Sequence, residues 1–235
     1  MKTVIPAYRI FPLGDSALTI DFGNVIDKEL NKQVIQLFHA FSRQPLPGMI
    51  EAVPAYSSLT IYFDLFTLRR AAPESLAFEQ IRTAVEERLA AFEPSEVSKG
   101  RVITIPVCYH PDFAPDLAGL AAARGLPVEE VIRLHTGGGY QVYMLGFLPG
   151  FSYLGDVDER ISMQRKQQPV PVAAGSVGIA GRQTGIYPLA SPGGWQIIGR
   201  TPLRIFDPGS ESPTLLRQGD RVQFTSISKN EFANY

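Results

Sequence analysis

Hydrophobic residues in the first hundred positions recur at two spacings. Leu18, Ile20 and Phe22 alternate with polar residues, which predicts a strand. Asp27 is suited to cap a helix, and the apolar residues after it are three or four apart, as on one helix face. Two helices on one face of a mainly antiparallel sheet would hide the apolar face of every element. We therefore expect residues 1–95 to form an α+β, ferredoxin-like sandwich. The apolar helix positions are Leu30, Val34, Leu37, Phe38 and Phe41, then Phe78, Ile81, Val85, Leu89 and Phe92, and the further strands are predicted at 50–53, 59–63 and 102–107.

The second part of the chain has a different pattern. A polar segment at 92–100 is the expected linker, and two short helices at 115–124 and 128–135 are each followed by glycine. Beyond them, glycine and proline separate short strand-like runs, which is typical of a β-barrel. We expect residues 100–235 to form a mainly-β barrel, with strands at 141–146, 177–180, 185–189, 195–199, 203–206 and 221–225.

Composition narrows the class of protein. The net charge of −1 is spread without long runs of one sign, so no nucleic-acid or membrane surface is indicated. The single cysteine excludes an internal disulfide and suits a reducing compartment. The uncharged run 134–155 is broken by glycine and proline, and the first residues lack the apolar run of a signal peptide. The expectation is a cytoplasmic protein.

Several catalytic motifs are missing. The sequence has neither a G-x-x-x-x-G-K-[ST] phosphate loop nor a G-x-S-x-G elbow. The glycines at 137–139 follow a helix, which favours a helix end over a phosphate site. Cys108 and His110 leave a cysteine–histidine pair open, although a cysteine at a strand end is usually a buried apolar residue. The three scattered histidines argue against a metal site.

The richest segment for chemistry runs from His135 to Gly199 and holds 13 of the 21 glycines. Arg182 is the only charge between Gly178 and Trp195 and has Gln183 and Thr184 beside it, a grouping suited to a carboxylate, carbonyl or phosphate. An exposed hairpin tip is the alternative. Arg200 offers a second cation. Aromatic residues around the turn at 149–150 either line a pocket or cap the barrel core.

These observations predict one pocket in the barrel. His135 ends a helix that we expect at the barrel entrance, where it would act as an acid or base near neutral pH. Arg182 would act with it in catalysis. The substrate-binding residues are expected to be Phe147, Phe151, Tyr153, Gln183, Thr184 and Tyr187.

Longer motifs resemble the allophanate hydrolase subunit 1 family, also represented by the kinase inhibitor KipI. The resemblance extends over nearly the whole chain, although Met163-Gln164-Arg165 and His110-Pro111 depart from the common pattern. Its motifs are LGDSALTIDFG at 13–23, PAYSSLTIYFD at 54–64, PVCYHPDFAPDL at 106–117, GFLPGFSYLG at 146–155, GSVGIAGRQTGIYP at 175–188, SPGGWQIIGRTP at 191–202 and RIFDP at 204–208.

The resemblance implies a cyclophilin-like barrel after the α+β domain. It also implies one component of an ATP-dependent 5-oxoprolinase, which converts 5-oxo-L-proline to L-glutamate together with A and C subunits. ATP would be bound by the complex, and this chain would be inactive alone. The alternative is an inhibitor of KipI type that binds a sensor histidine kinase. The name allophanate hydrolase does not apply literally, because Ser57 and Ser58 lack a nearby lysine in sequence.

Overall fold

The structure is a computed structural model that describes residues 5–93 and 100–235. The chain divides into two compact units, Met1–Lys99 and Gly100–Tyr235. Most of the linker predicted at 92–100 lies outside the described residues. In the described ranges, no helix is both long and apolar enough to cross a membrane.

The first unit is built on a four-stranded antiparallel sheet with the strand order β1-β2-β4-β3. The inward residues of the two central strands, among them Leu18, Ile20, Leu59 and Ile61, are fully buried, as their alternation predicted. The strands are β1 (Arg9–Pro12), β2 (Ala17–Asp21), β3 (Met49–Pro54) and β4 (Ser58–Phe63).

The described residues of this unit also form three helices: α1 (Lys28–Arg43), α2 (Leu65–Ala71) and α3 (Ala77–Ala90). Asp27 caps α1 as predicted, since its side chain accepts a hydrogen bond of 2.7 Å from the backbone N–H of Leu30. Residues of α1 and α3 share one hydrophobic core with the sheet. The unit is therefore α+β, and the narrower ferredoxin-like assignment stays a prediction.

The second unit contains a closed barrel of seven strands in the order β10-β7-β6-β13-β5-β12-β9. Strands β5 and β13 run parallel, and the other neighbouring pairs are antiparallel. This architecture is consistent with the cyclophilin-like barrel implied by the resemblance. Its strands are β5 (Val102–Cys108), β6 (Gly139–Leu145), β7 (Ser152–Gly155), β9 (Ser176–Ala180), β10 (Gln183–Ile186), β12 (Gln196–Arg200) and β13 (Arg221–Ile227).

Smaller elements surround the barrel. Helix α4 (Leu117–Arg124) ends at Gly125, whose φ of +64° suits glycine, and α5 (Val128–Gly137) follows it. Both helices share the barrel's core. A separate pair of strands is formed by β8 (Val170–Val172) and β11 (Ser191–Gly193), and the last element is α6 (Lys229–Ala233).

One strand prediction is wrong. Residues 203–206 form no regular strand, and Phe206 makes an isolated bridge to Thr214. Pro202 lies directly before the segment and has no backbone N–H to donate to a ladder.

Candidate functional site

The alternation of side chains along the barrel strands separates the predicted site residues. On β10, Thr184 and Ile186 are fully buried, and Ile186 belongs to the barrel core. The intervening Gly185 faces the other way, because a Cβ built on it would lie 3.0 Å from Phe151 and Trp195. Adjacent residues of a strand point to opposite faces of a sheet. The structure therefore does not bring the predicted residues together in one pocket.

His135 lies in the core of the second unit. It has no exposed surface and stacks on Phe224 with ring centroids 4.5 Å apart. Its Nδ1 is 2.7 Å from the hydroxyl of Tyr109, and its Nε2 is 3.0 Å from the hydroxyl of Thr184. The hydroxyl of Tyr140 also donates to the His135 carbonyl.

The hydrogen bonds define the protonation state of this group. Thr184 donates its only hydroxyl proton to the carbonyl of Gly178 over 3.0 Å. It must therefore accept from His135 Nε2–H, which leaves Nδ1 to accept from Tyr109. With a neutral imidazole, each N–H and O–H group in this chain of hydrogen bonds donates to one acceptor.

Burial also favours the neutral form of the His135 imidazole. Desolvation lowers the pKa of the His135 imidazole from 6.5 to about 3. The expectation that His135 lies at the barrel entrance and titrates near neutral pH is therefore wrong. Its spacing from Val131 was the available signal, because residues four apart lie on one face of a helix and Val131 is buried.

Five aromatic residues form a cluster on the outer face of the barrel strands. Phe151 is at its centre, with ring centroids 4.9 Å from Tyr153, 5.1 Å from Tyr187 and 5.4 Å from Trp195. Phe147 packs edge-on against Phe151 at 5.5 Å and is 62% exposed. This hydrophobic cluster is separate from the barrel core. The sequence alternatives, a pocket wall or a cap on the core, did not include an outer-face cluster.

Glycine on β10 makes room for these rings. We expect Gly185→Ala to destabilise the second unit by about 1–3 kcal/mol, because the new methyl group would overlap Phe151, Trp195 and the Ser152 carbonyl, which lies 2.9 Å from the ideal Cβ. The matched control is Gly119→Ala in α4, where nothing lies within 4 Å. That change should be neutral or stabilising by about 0.5–1 kcal/mol.

Denaturant unfolding followed by the fluorescence of Trp195, the single tryptophan, measures both variants. Equal denaturant midpoints for the two variants would contradict the close packing of Phe151 and Trp195 over Gly185.

Arg182 occupies the tip of the β9–β10 hairpin and is exposed. Its backbone is held in place, since its carbonyl accepts from Val157 N–H at 2.9 Å and Gly181 N–H donates to Met163 O at 2.7 Å. Its guanidinium has no ion pair or hydrogen bond with another described residue. Gln183 beside it is half-buried, whereas Thr184 belongs to the interior network. Arg182 thus has a held backbone and an exposed guanidinium.

The candidate nucleophiles from the sequence are buried in the structure. Cys108 ends β5 and is buried. Ser57 is buried and donates its hydroxyl proton to the Gly23 carbonyl. Across residues 5–93 and 100–235, no group of three or more His, Cys, Asp or Glu side chains is arranged to hold a metal ion.

Residues 8–216 match the family described as "Carboxyltransferase domain, subdomain C and D". The chain belongs to this family, which confirms the resemblance indicated by its motifs. It is 48% identical to the B subunit of 5-oxoprolinase from Bacillus subtilis (strain 168), and the match covers 97% of this chain and 96% of that protein. It is 41% identical to the B subunit of 5-oxoprolinase from Escherichia coli O157:H7, over 92% of this chain and 94% of that protein.

The fold is also similar to a solved structure. The crystal structure of TTHA0988 superposes with a TM-score of 0.77 at 37% identity. That match covers 90% of this chain and 40% of the longer one.

Proposed function

We propose that this chain is one component of an ATP-dependent 5-oxoprolinase that converts 5-oxo-L-proline to L-glutamate. The observation that carries the proposal is the 48% identity with the B subunit of a 5-oxoprolinase over 97% of this chain and 96% of that protein. An alignment of this extent includes both units, so it concerns the whole polypeptide and not a shared fragment.

The chemistry favours a complex over a lone enzyme. A five-membered lactam contains a stable amide, and ATP supplies the driving force to open it. The sequence has no phosphate loop, and the buried His135 is neutral at physiological pH. We therefore propose that ATP is bound by the complex, with A and C subunits as partners in the cytoplasm, and that this chain is inactive alone.

Arg182 is the group that we expect this chain to contribute at the hairpin tip. A guanidinium binds a carboxylate, carbonyl or phosphate oxygen well, but an exposed one is weakened by water. A partner chain that closed over the hairpin would exclude that water. Gln183 follows Arg182 directly in β10, whereas Tyr187 and the rings of Phe147 and Phe151 that pack against it lie at the other end of this strand. His135 and Thr184 support the barrel from within.

The outer-face cluster also favours a protein partner. The ring of Phe147 packs against Tyr187, yet Phe147 is 62% exposed. Leu189, two residues after Tyr187 in the sequence, is 39% exposed. Phe147 has a φ of +70°, which is uncommon for a residue with a side chain. Exposed apolar groups beside a hydrophobic cluster often mark an interface.

We expect co-expression with the C subunit to give a heteromeric complex by light scattering. Phe147→Ser should weaken it, because the exposed ring would no longer be buried in the interface. The control is Phe66→Ser in the first unit, where Phe66 is 77% exposed. Separate elution of the two wild-type chains at micromolar concentration would contradict the assembly, and binding to a histidine kinase instead would favour the KipI-type alternative.

A further inference from the structure

The second unit contains a cavity that none of the predicted site residues lines. Its volume is about 730 Å³, within the usual range for small-ligand pockets. It lies between the end of β12, the segment that follows β12, and helix α6. Its walls include Arg200, Thr201, Leu203, Arg204, Phe206 and Phe232.

The charged side chains that line the cavity are all positive. Two arginines and no acidic side chain line the cavity. Arg204 is already paired with Asp207 at 3.2 Å, and its side chain is 71% exposed. Arg200 is half-buried and has no ion pair among the residues that the structure describes. Arg200 is therefore a guanidinium in the lining that no described aspartate or glutamate side chain pairs with.

Arg200 is fixed in position before any ligand binds. Its Nε donates to the carbonyl of Ala174 over 2.8 Å. Its guanidinium carbon lies 6.0 Å from the ring centroids of both Phe113 and Phe232, which stack on each other at 4.4 Å. No described residue accepts a hydrogen bond from its two Nη groups. A preorganised guanidinium loses less freedom when it binds a ligand.

Helix α6, which supplies Phe232, is itself anchored. Ser228 and Glu231 form a capping box at its first turn, and Lys229 pairs with Asp112. The aromatic support beneath Arg200 thus depends on contacts between α6 and the segment after β5.

The geometry points to a small organic carboxylate as the ligand of this cavity, and we propose that Arg200 binds it. A planar guanidinium matches the two oxygens of a carboxylate, while Leu203 and Phe206 provide apolar walls for the rest of the molecule. The Thr201 hydroxyl accepts from Leu203 N–H at 3.2 Å and keeps a proton to donate. A phosphate fits less well, because Pro188, Pro202 and Pro208 in the lining lack the N–H groups that phosphate sites use.

The choice of probes rests on the proposed function. 5-Oxo-L-proline and L-glutamate each carry a carboxylate, and pyrrolidin-2-one has the same lactam ring without one. In NMR titrations of the full chain, the two acids should shift the amide signals of Gly175, Thr201 and Leu203, and pyrrolidin-2-one should not. No shift with either acid at millimolar concentration, shifts confined to the hairpin at Arg182, or equal shifts with pyrrolidin-2-one would each overturn the proposal.

Two variants that remove the same charge at different positions test whether Arg200 binds the carboxylate. We expect Arg200→Gln to weaken binding of 5-oxo-L-proline by roughly tenfold or more, because a charge-assisted hydrogen bond is lost. Arg124→Gln removes an exposed arginine of α4 outside the cavity and should leave binding unchanged. Equal affinity in the folded Arg200→Gln variant would contradict the assignment, and the wild-type titration decides the question if that variant does not fold.

The two proposals fail separately. Lactam opening by the assembled complex without binding of either acid to this chain would overturn the carboxylate cavity alone. Carboxylate binding by this chain without turnover by the complex would overturn the 5-oxoprolinase assignment and leave the cavity in place.

Discussion

Acid is expected to destabilise the second unit as soon as the pH falls below 6.5. Burial lowers the pKa of His135 from 6.5 to about 3, so the folded unit excludes a proton that the unfolded chain binds below pH 6.5. His135 therefore contributes stability that is fully present above pH 6.5 and is lost as the pH falls toward 3. The unfolding free energy should drop by up to about 1.4 kcal/mol for each pH unit in this window.

This pH range begins above the one in which Asp158 titrates. Hydrogen bonds with Arg160 lower the pKa of Asp158 to about 2, so this carboxylate loses its contribution only in stronger acid. His39 has a lowered pKa through burial and the nearby Arg43, with the same sign, but it belongs to the first unit. Trp195 fluorescence reports on the second unit, so it excludes the effect of His39.

The measurement is urea unfolding between about pH 7.5 and pH 4.5, compared with His135→Gln. That variant should be less stable at neutral pH, because Tyr109 and Thr184 lose their partner, and it should have a shallower pH dependence. His110→Gln, at an exposed position, is the control for the loss of a histidine from the second unit. An NMR titration of wild-type His135 with a midpoint near 6.5 would contradict the prediction even if His135→Gln does not fold.

Replacing Arg182 with alanine should reduce turnover by the assembled complex roughly 100-fold or more, as removal of a single charged or polar contact at a reacting centre often does. The melting temperature of the chain should change by only a few degrees, because an exposed arginine at a hairpin tip contributes little to folding. The two measurements together separate a functional contact from a structural one.

Arg124→Ala serves as the control for this variant, since Arg124 is also exposed and lies at the end of α4. Wild-type turnover by the Arg182→Ala complex would show that the arginine is an ordinary hairpin residue. Unfolding of the variant would also contradict the account, because it would give Arg182 a structural role that its exposure excludes.

Periodicity in the sequence was sufficient for much of the fold. The stripe from Leu30 to Phe41 lies within α1, and the alternation at Leu18 and Ile20 lies in β2. These patterns report on one buried face, which is the information that the core requires. Helix α2 was missed because it has seven residues and one buried side chain, Leu68. Its signal was Asp64, whose side chain accepts from Phe66 N–H at 2.9 Å.

The site was harder to predict because residues that are close in sequence can lie on opposite faces of a barrel strand. Gln183, Thr184 and Tyr187 occupy neighbouring positions, yet Thr184 bonds to His135 in the interior and Tyr187 packs against Phe151 outside. Applying the period of two to β10 would have separated them. Trp195 was missed as a member of the aromatic cluster because β12 and β10 meet only through β9 in the barrel.

The cavity at Arg200 could not be predicted from local sequence. Arg200, Phe113 and Phe232 are far apart along the chain, and their contact depends on the pairing of β5 with β12 and on the position of α6. Arg200 was recognised only as a second cation. Its support by two rings is a property of the folded barrel.

The most direct test of the proposed function is an omission experiment with purified proteins. L-Glutamate formed from 5-oxo-L-proline and ADP formed from ATP are measured with this chain, the A subunit and the C subunit, alone, in pairs and together. We predict glutamate and ADP formation with all three chains present and none with this chain alone. ATP-dependent turnover by this chain alone, or full turnover by the A and C subunits without it, would contradict its assignment to a 5-oxoprolinase complex.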